Sequence, residues 1–249
     1  MPALTLGHAT PKKKYAVRLG FRLVRGLREA DILRMMEARK QGPFRSVDDL
    51  ASRAELERPA LTILAGADAF RSLPRDRRGG WWEALAGRPD RDPLLLSLAD
   101  EVALPEFDPL PEYDETHEDY ASFGLTLRSH PMQFLRPSLQ EAGLVTTARF
   151  MAAKPYERLS IAGLVLFRQR PETAKGIVFV TLEDETGSAN LIVRPQIWEQ
   201  YRRIARRAAV LSASGWVEKQ GTVVHLLVER LADLTPELTG LKNKSRDFR

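Results

Sequence analysis

Five stretches in the C-terminal third of the chain carry the hydrophobic pattern of β-strands. They are residues 159–167, 177–183, 189–193, 210–217 and 223–229. β-branched and aromatic residues dominate these stretches, and turn-forming residues separate them. The first stretch is apolar at nearly every position, as expected of a barrel strand that is also covered on its outer side. Residues 184–187 predict a tight turn in which Gly187 can adopt a positive φ angle.

A helix is predicted between the third and fourth strands. Pro195 suits the first turn of this helix, where a missing N–H costs nothing. Trp198, Tyr201 and Ala205 then form one apolar stripe at helical spacing. Five strands with one helix between the third and the fourth is the order of an OB-fold β-barrel.

OB-folds bind nucleic acids across their second and third strands, between the loop joining strands one and two and the loop joining strands four and five. The first of these loops is basic here, and the second carries Lys219. Phe179 has two interpretations, a stacking platform for bases or a part of the barrel core, and the residue alone fits the core better. The predicted contacts of the barrel with DNA are Arg168, Arg170, Lys175, Phe179, Arg194 and Lys219.

The hydrophobic pattern is helical in the N-terminal region. Two short amphipathic segments, the second at residues 30–39, are joined by a tight turn through Gly26. This pattern is typical of a helix-hairpin-helix, in which backbone N–H groups at a helix N-terminus bind a phosphate. The common form has a second glycine where this chain has Arg28, so a plain helical hairpin is the alternative. The predicted contacts with the duplex backbone are Lys12, Lys13, Lys14, Arg25, Gly26, Leu27 and Arg28.

Prolines and glycines divide the chain into segments. Ser46 and Asp49 have the spacing of a capping box at a helix start, and Trp81 and Trp82 are predicted to dock on a neighbouring part of the chain. The predicted fold class is multidomain α and β. Its segments are a basic tail (1–14), a helix-hairpin-helix domain (15–73), a proline-rich linker (74–118), a helical connector (119–157), the five-stranded OB-fold domain (158–235) and a second basic tail (236–249).

Charge is distributed unevenly along the chain. The net charge of the 249 residues is +5, but residues 1–75 carry +7, residues 76–157 carry −7 and residues 158–249 carry +5. Two basic blocks on either side of an acidic one suggest two surfaces for a polyanion, joined by a connector that does not touch it. A short lysine run such as residues 12–14 is also consistent with a solvated tail.

Composition and spacing disfavour catalytic and metal sites. The chain has no cysteine, which excludes disulfides and thiolate ligands, and its four histidines lack paired ligand spacing. Asp90 and Asp92 superficially offer the carboxylates of a two-metal site, but they lie between prolines with no strand to hold them. His130 before Pro131 is predicted to be a structural, hydrogen-bonding residue. We therefore expect no catalytic residue, metal or cofactor in this chain.

No apolar run approaches the length that a membrane-spanning helix needs, and the N-terminal residues lack the apolar core of a signal peptide. A membrane is therefore not an expected partner. The cytoplasm is the expected location.

Six stretches together resemble the C-terminal part of the bacterial error-prone DNA polymerases, C-family enzymes related to the replicative polymerase III alpha subunit. They follow one another in the family's order and span nearly the whole chain. The stretches are residues 17–26 (VRLGFRLVRG), 42–50 (GPFRSVDDL), 124–132 (GLTLRSHPM), 162–171 (AGLVLFRQRP), 179–187 (FVTLEDETG) and 245–249 (SRDFR).

The resemblance implies a DNA-binding segment of a translesion, damage-repair polymerase. Members of the family have a phosphoesterase-like domain, a palm whose aspartates use Mg²⁺, fingers, a helix-hairpin-helix module and an OB domain, and this chain resembles only the last part. No catalytic residue carries over, so the chain is not expected to be active alone. The implied partners are duplex and single-stranded DNA, the remaining polymerase domains and damage-response proteins.

Two functions stay open at this point. In the first, the helix-hairpin-helix grips duplex backbone and the OB-fold binds single-stranded template. In the second, the OB-fold is a non-catalytic module that docks protein partners of a damage-response polymerase complex, with Trp81 and Trp82 as further anchors. Steep loss of binding with added salt would favour the first function, because phosphate contacts release counterions.

Overall fold

The structure, a computed structural model, describes residues 19–73, 76–86, 107–238 and 246–248. Lys12, Lys13, Lys14, Asp90 and Asp92 lie outside these ranges. The helices are α1 (Glu29–Arg39), α2 (Val47–Arg53), α3 (Arg58–Gly66), α4 (Arg77–Ala86), α5 (Glu112–Phe123), α6 (Pro131–Glu141), α7 (Thr147–Met151), α8 (Pro195–Gln200) and α9 (Arg202–Arg207). The strands are β1 (Arg158–Gln169), β2 (Val178–Asp184), β3 (Gly187–Val193), β4 (Val210–Gln220), β5 (Val223–Asp233) and β6 (Arg246–Phe248). Among the described helices, none combines the length and the apolar character needed to cross a membrane.

The N-terminal domain packs α1 to α4 around one apolar core. The hydroxyl of Ser46 accepts a hydrogen bond from the amide of Asp49 at 3.0 Å, so α2 begins at the predicted cap. Among the described residues before the hairpin turn, which begin at residue 19, there is one 3-10 turn, Phe21–Leu23, and the start of the first predicted amphipathic segment lies outside the described residues. The buried side chains of this core include Met35, Leu50, Leu61, Leu64, Phe70 and Ala84.

α4 belongs to this helical core, although the sequence predicts a linker over residues 74–118. That prediction was wrong for α4 because two glycines in a short segment indicate a turn, whereas here Gly80 permits close packing. A Cβ atom on Gly80 would lie 2.9 Å from the ring of Phe70. Trp81 packs against the core, as the docking prediction requires, whereas Trp82 is exposed; Ala84 is buried.

Hydrogen bonds close β1 to β5 into a barrel. Neighbouring strands follow the order β2-β3-β5-β4-β1, and β1 also pairs with β2. β3 and β5 run parallel, while the other barrel pairs are antiparallel. β1 pairs with two strands: residues 158–164 pair with β4, and residues 164–169 pair with β2. This closed five-stranded barrel confirms the predicted OB-fold.

Short helices close both ends of the barrel. Phe150 of α7 is fully buried against the barrel core near the turn between β2 and β3. At the other end, Trp198 and Ile204 pack against the same core. The predicted helix after Pro195 is interrupted at Tyr201, which has φ −107° and ψ 25°, and so forms the two short helices α8 and α9.

α5 and α6 cover part of the outer surface of the barrel. Tyr120 and Met132 of these helices are buried against Ala162 and Leu164 of β1. This contact explains why the first strand is apolar on both faces. α5 begins at Glu112, inside the predicted linker, so the connector starts earlier than residue 119.

Two arginines join the helical domain to α5. Arg77 of α4 is 1% exposed, and its guanidinium forms ion pairs with Glu115 and, at 2.6 Å, with Asp119. Arg128 follows α5 and lies 3.1 Å from Asp68 of the helical domain, while it also pairs with Glu115. The acidic block of the sequence thus neutralises arginines within the fold, in addition to separating the basic blocks.

β6 lies within residues 236–249, which the sequence predicts as a basic tail. It runs parallel to the second half of β1, with residues 246–248 opposite residues 167–169. The tail prediction was therefore wrong for these three residues, because a strand this short has no readable hydrophobic period.

Gly163 should be essential for closing the barrel. A Cβ atom there would lie 2.6 Å from the backbone oxygen of Glu183 on β2, and neither backbone can move without breaking the β1–β2 pairing. We expect Gly163→Ala to lower the free energy of unfolding by about 1–3 kcal/mol or more, measured by urea denaturation. The control is Gly20→Ala, because Gly20 has φ −85° and an added Cβ meets nothing within 4 Å in the described part of the chain. Equal stability of both variants would contradict this prediction.

Candidate nucleic-acid interface

A row of apolar side chains crosses the outer surface of the barrel. Phe179 of β2 pairs with Ile192 of β3, and Ile192 pairs with Leu227 of β5. Leu227 in turn pairs with Trp216 of β4. The residues on either side of each member in its strand are buried, so the four members face outward. We call these four residues the outer row.

The position of Phe179 corrects the interpretation that the residue alone favoured. Val178, Val180 and Leu182 of β2 are buried in the barrel, whereas Phe179 is only half-buried and points away from them. Phe179 is therefore not a core residue. Its ring lies on the strand face that OB-folds use for ligands.

Exposed cations stand beside Phe179 at one end of the outer row. Arg170 and Lys175 lie in the loop between β1 and β2, and Arg194 follows β3 directly. Lys175 adopts the left-handed conformation with φ 48°, and Gly176 follows with φ 83°, so the loop turns sharply before β2. In the described part of the chain, these three cationic side chains form no ion pair.

Arg168 and Lys219 do not belong to this surface, in contrast to the prediction. Arg168 lies within β1, is buried, and donates hydrogen bonds to the carbonyls of Ala205 and Ala208. It therefore fixes α9 to the barrel. Lys219 lies within β4 and donates to the carbonyl of Met151 at 3.3 Å, at the end of the barrel that α7 closes.

A polar row runs beside the outer row on the same surface. Thr181 of β2 donates to the side-chain oxygen of Asn190 at 3.0 Å, and Asn190 pairs with His225 of β5. His225 pairs in turn with Glu218 of β4. This row ends in a carboxylate, which repels a polyanion. The attractive surface is therefore limited to the outer row and the loop cations.

A buried carboxylate holds the turn between β2 and β3. Asp184 accepts hydrogen bonds from Thr186 and from the amide of Thr147, and Arg136 of α6 lies 3.0 Å from it. Burial alone would raise the pKa of Asp184, but the Thr186, Thr147 and Arg136 contacts together lower that pKa. The charged form therefore fixes β2 and β3 relative to α6 and α7.

His130 is a structural residue, as the sequence predicts. Its Nδ1 accepts a hydrogen bond from the amide of Met132 at 3.2 Å and so caps α6. Burial lowers the pKa of His130, while the nearby carboxylates of Glu183, Glu185 and Asp184 oppose that shift. No group of three side chains suited to a metal occurs in the residues that the structure describes.

The hairpin turn has the backbone geometry of the predicted motif. Gly26 has φ 81°, a conformation that favours glycine. Arg28 has φ −76° and ψ 141°, so its backbone does not need the second glycine of the common form. Arg28 is the N-cap of α1 without a side-chain cap, and its carbonyl accepts from the amide of Asp31 at 3.1 Å, so the amides of Glu29 and Ala30 are the first-turn donors with no partner among the described residues. Leu27 packs partly against the helical core.

The side chains of Arg25 and Arg28 have other partners than the predicted phosphates. The guanidinium of Arg25 donates to the carbonyl of Tyr120 at 3.0 Å, and its amide donates to the carbonyl of Ser122 at 2.8 Å. Two guanidinium nitrogens of Arg28 donate hydrogen bonds to the two oxygens of the buried carboxylate of Asp31. Both arginines remain exposed, but they fix the hairpin to α5 and to α1.

Two family models match the chain. The helix-hairpin-helix motif matches residues 5–80, and the OB-fold nucleic acid binding domain matches residues 159–234. A protein of Burkholderia pseudomallei named error-prone DNA polymerase is 44% identical over 242 residues, which are 97% of this chain and 23% of that protein. One of Allorhizobium ampelinum with the same name is 41% identical over 256 residues, covering 98% of this chain and 23% of that protein.

This chain is similar to the error-prone DNA polymerases over nearly all of its own length. It spans 23% of the length of the two relatives. The helix-hairpin-helix match falls on the helical domain, and the match to the OB-fold nucleic acid binding domain falls on the barrel.

The residues that sequence reasoning missed are Ile192, Leu227 and Trp216. Each occupies an outward position in a strand whose alternate residues are buried, so strict alternation along β3, β4 and β5 could have identified them. Which of the outward residues form one row depends on the register between strands. The sequence alone does not define that register.

The stability of the barrel should fall in acid because of Asp184. Its folded pKa is lowered, so the charged form contributes stability above the unfolded pKa of about 3.9, and this contribution is lost as the pH falls below that value. We expect Asp184→Asn to be less stable at neutral pH and to lose less stability between about pH 5 and about pH 3. Urea denaturation across this range measures both effects. Glu199→Gln, on the exposed surface of α8, is the control, and an unchanged acid profile in Asp184→Asn would contradict the assignment.

Proposed function

We propose that this chain holds DNA within an error-prone polymerase, with the barrel binding single-stranded template and the helix-hairpin-helix binding duplex backbone. The observation that carries the proposal is the outer row, an apolar surface that starts beside three unpaired cations in the described structure. Trp216 is exposed and the other three members are half-buried, so the row is a contiguous accessible apolar surface, and such a surface marks an interaction site.

The outer row suits unpaired bases. Every base has an aromatic face, so stacking on Phe179 and on the aliphatic side chains next to it tolerates any sequence. Arg170, Lys175 and Arg194 would neutralise the phosphates of the same strand. A template-holding site needs this sequence tolerance, because the polymerase must copy every base.

The hairpin suits the duplex backbone. The first-turn amides of α1 and the positive end of its helix dipole favour a phosphate oxygen. Arg25 and Arg28 hold the turn in place, so in this proposal they act as positioning residues. Lys12, Lys13 and Lys14 remain proposed backbone contacts.

The relatives give the proposal its biological setting. Nucleotide transfer would belong to the Mg²⁺-dependent palm domain that the family resemblance implies, and this segment would position primer and template for it. Translesion synthesis and DNA repair in the cytoplasm, with damage-response proteins as partners, complete the proposal.

A protein-docking function has one observation in its favour. Trp82 and Leu85 of α4 are 47% and 48% exposed and lie three residues apart on the same helix. A partner protein could cover them, although the ring of Phe107 already lies 5.9 Å from that of Trp82. Such docking would be insensitive to salt, unlike DNA binding.

Binding of labelled oligothymidine, measured by fluorescence anisotropy over a salt series, tests the barrel. We expect binding that weakens steeply with salt, and a loss of about fivefold or more in Phe179→Ala, since each stacked base contributes substantially to affinity. Trp82→Ala is the matched control, because it removes an exposed aromatic residue from α4. If Trp82→Ala weakened binding and Phe179→Ala did not, the assignment to the outer row would fail.

The same assay with a hairpin duplex tests the helical domain. Ala30 is exposed in the first turn of α1, and Ala30→Glu adds a charge that the helix dipole stabilises but that repels phosphate. We expect weaker duplex binding with unchanged or higher thermal stability. Gln41→Glu adds the same charge just beyond the other end of α1 and should leave binding nearly unchanged. Equal effects of the two substitutions would indicate only a change in net charge.

A further inference from the structure

A β-bulge in β5 brings two consecutive side chains to the outer surface of the barrel. Ser214 of β4 pairs with Arg230 and Gly215 pairs with Val228, so Glu229 is an extra residue between two pairs. Val228 and Leu231 are buried on either side of Glu229 and Arg230. Opposite the bulge, a Cβ on Gly215 would lie 2.0 Å from the oxygen of Leu227, so only glycine fits. The bulge is therefore specified by the sequence on both strands.

Glu229 uses this position to fix Trp216, the last member of the outer row. The indole Nε1 of Trp216 donates to Oε1 of Glu229 at 2.7 Å. Arg158 lies 2.9 Å from Oε2 of the same carboxylate, and its guanidinium lies 5.8 Å from the centre of the indole ring. The hydrogen bond from Trp216, followed by the charge of Arg158, lowers the pKa of Glu229. Glu229 and Arg158 thus orient the indole of Trp216 while this residue stays 41% exposed.

A recess opens directly beside Trp216 and Arg158. Its lining comprises Gly143, Arg158, Leu159, Ser160, Ser214 and Arg230. The hydroxyls of Ser160 and Ser214 are 2.7 Å apart, so one donates to the other and the second hydroxyl keeps a hydrogen for a ligand. Arg230 makes no ion pair in the part of the chain that the structure describes. The arginines and Glu229 leave this region with a net positive charge.

We propose that this recess binds a backbone phosphate of single-stranded nucleic acid, whose neighbouring base stacks on Trp216. The proposal rests on the proposed function and extends its site from β2 and β3 around the barrel to β5, β4 and β1. The single-stranded nucleic acid starts at Phe179 beside the basic loop, follows the outer row and ends in the recess. Trp216 and Phe179 are three strand spacings apart, about 14 Å, which requires several nucleotides.

The chemistry of the recess favours a nucleotide over an acidic peptide. A phosphate accepts hydrogen bonds on several oxygens, which suits Arg230, Arg158 and a serine hydroxyl converging from three strands. A fixed indole next to these donors provides a surface for the base of the same nucleotide. The recess also adjoins Trp216, the last member of the outer row. A nucleic-acid strand that follows the row therefore reaches the recess at its end.

The test is a length series of labelled oligothymidines of about 4, 8 and 12 nucleotides, bound to the full chain. Arg230→Gln and Trp216→Phe should leave the shortest oligonucleotide unaffected. Arg230→Gln should weaken binding of the longest severalfold and make its salt dependence shallower by about 0.7 in log–log slope, the value for one lost phosphate contact. Arg203→Gln removes an exposed arginine from α9 and is the matched control. Tryptophan fluorescence should be quenched by the longest oligonucleotide in the unmodified chain and less so in Trp216→Phe.

The possible failures are distinguishable. If the unmodified chain binds none of the oligonucleotides, the proposed function itself fails, and this proposal with it. If it binds all lengths but Arg230→Gln behaves like Arg203→Gln at every length, the recess is not part of the path, while the proposed function stands. Competition by polyglutamate as effective as that by oligothymidine would assign the recess to acidic protein segments and overturn the proposal.

Discussion

The close approach of β1 and β2 at Gly163 is the constraint on which the barrel depends. At this point β1 leaves β4 and begins to pair with β2, and no side chain fits between the two backbones. Without this contact the five strands would form an open sheet with unpaired edges. Within the closed barrel, the register of β2, β3, β5 and β4 aligns Phe179, Ile192, Leu227 and Trp216. The proposed single-strand site therefore depends on this register as well as on closure.

The arginines of this chain divide into those that hold the fold and those that remain available. Arg77, Arg136 and Arg168 are buried on carboxylates or carbonyls, and Arg25 and Arg28 fix the hairpin although they are exposed. Arg170, Arg194 and Arg230 have no such partner among the described residues. The number of positive charges in the sequence therefore overestimates the surface that a polyanion can bind, because part of this charge is neutralised within the fold. The acidic residues of α5 perform much of this neutralisation.

The sequence predicted the barrel well because its strands are rich in β-branched residues and the helix position after Pro195 is diagnostic. For Phe179 the residue alone favoured the core, although the OB-fold pattern placed it among the predicted contacts, since facing inward or outward depends on strand register and the residue alone gives no register. Arg168 and Lys219 were misplaced because strand ends, which extend beyond the apolar stretches here, are hard to read from a sequence. α4 was missed because Gly79 and Gly80 resemble a turn. The buried residues Val228 and Leu231 are three positions apart instead of two, which marks the bulge, but the hydrogen bond between Trp216 and Glu229 depends on the pairing of β4 with β5 and has no signature in the sequence.

The central claim is that single-stranded DNA lies along the outer row. Ultraviolet cross-linking of oligothymidine to the full chain, followed by mass spectrometric identification of the modified peptides, tests it directly. The account predicts cross-links on the peptides that contain Phe179 and Trp216, and their loss when excess salt dissociates the complex. Cross-links confined to Trp81 and Trp82, with both barrel peptides unmodified, would contradict it and assign nucleic-acid contact to α4.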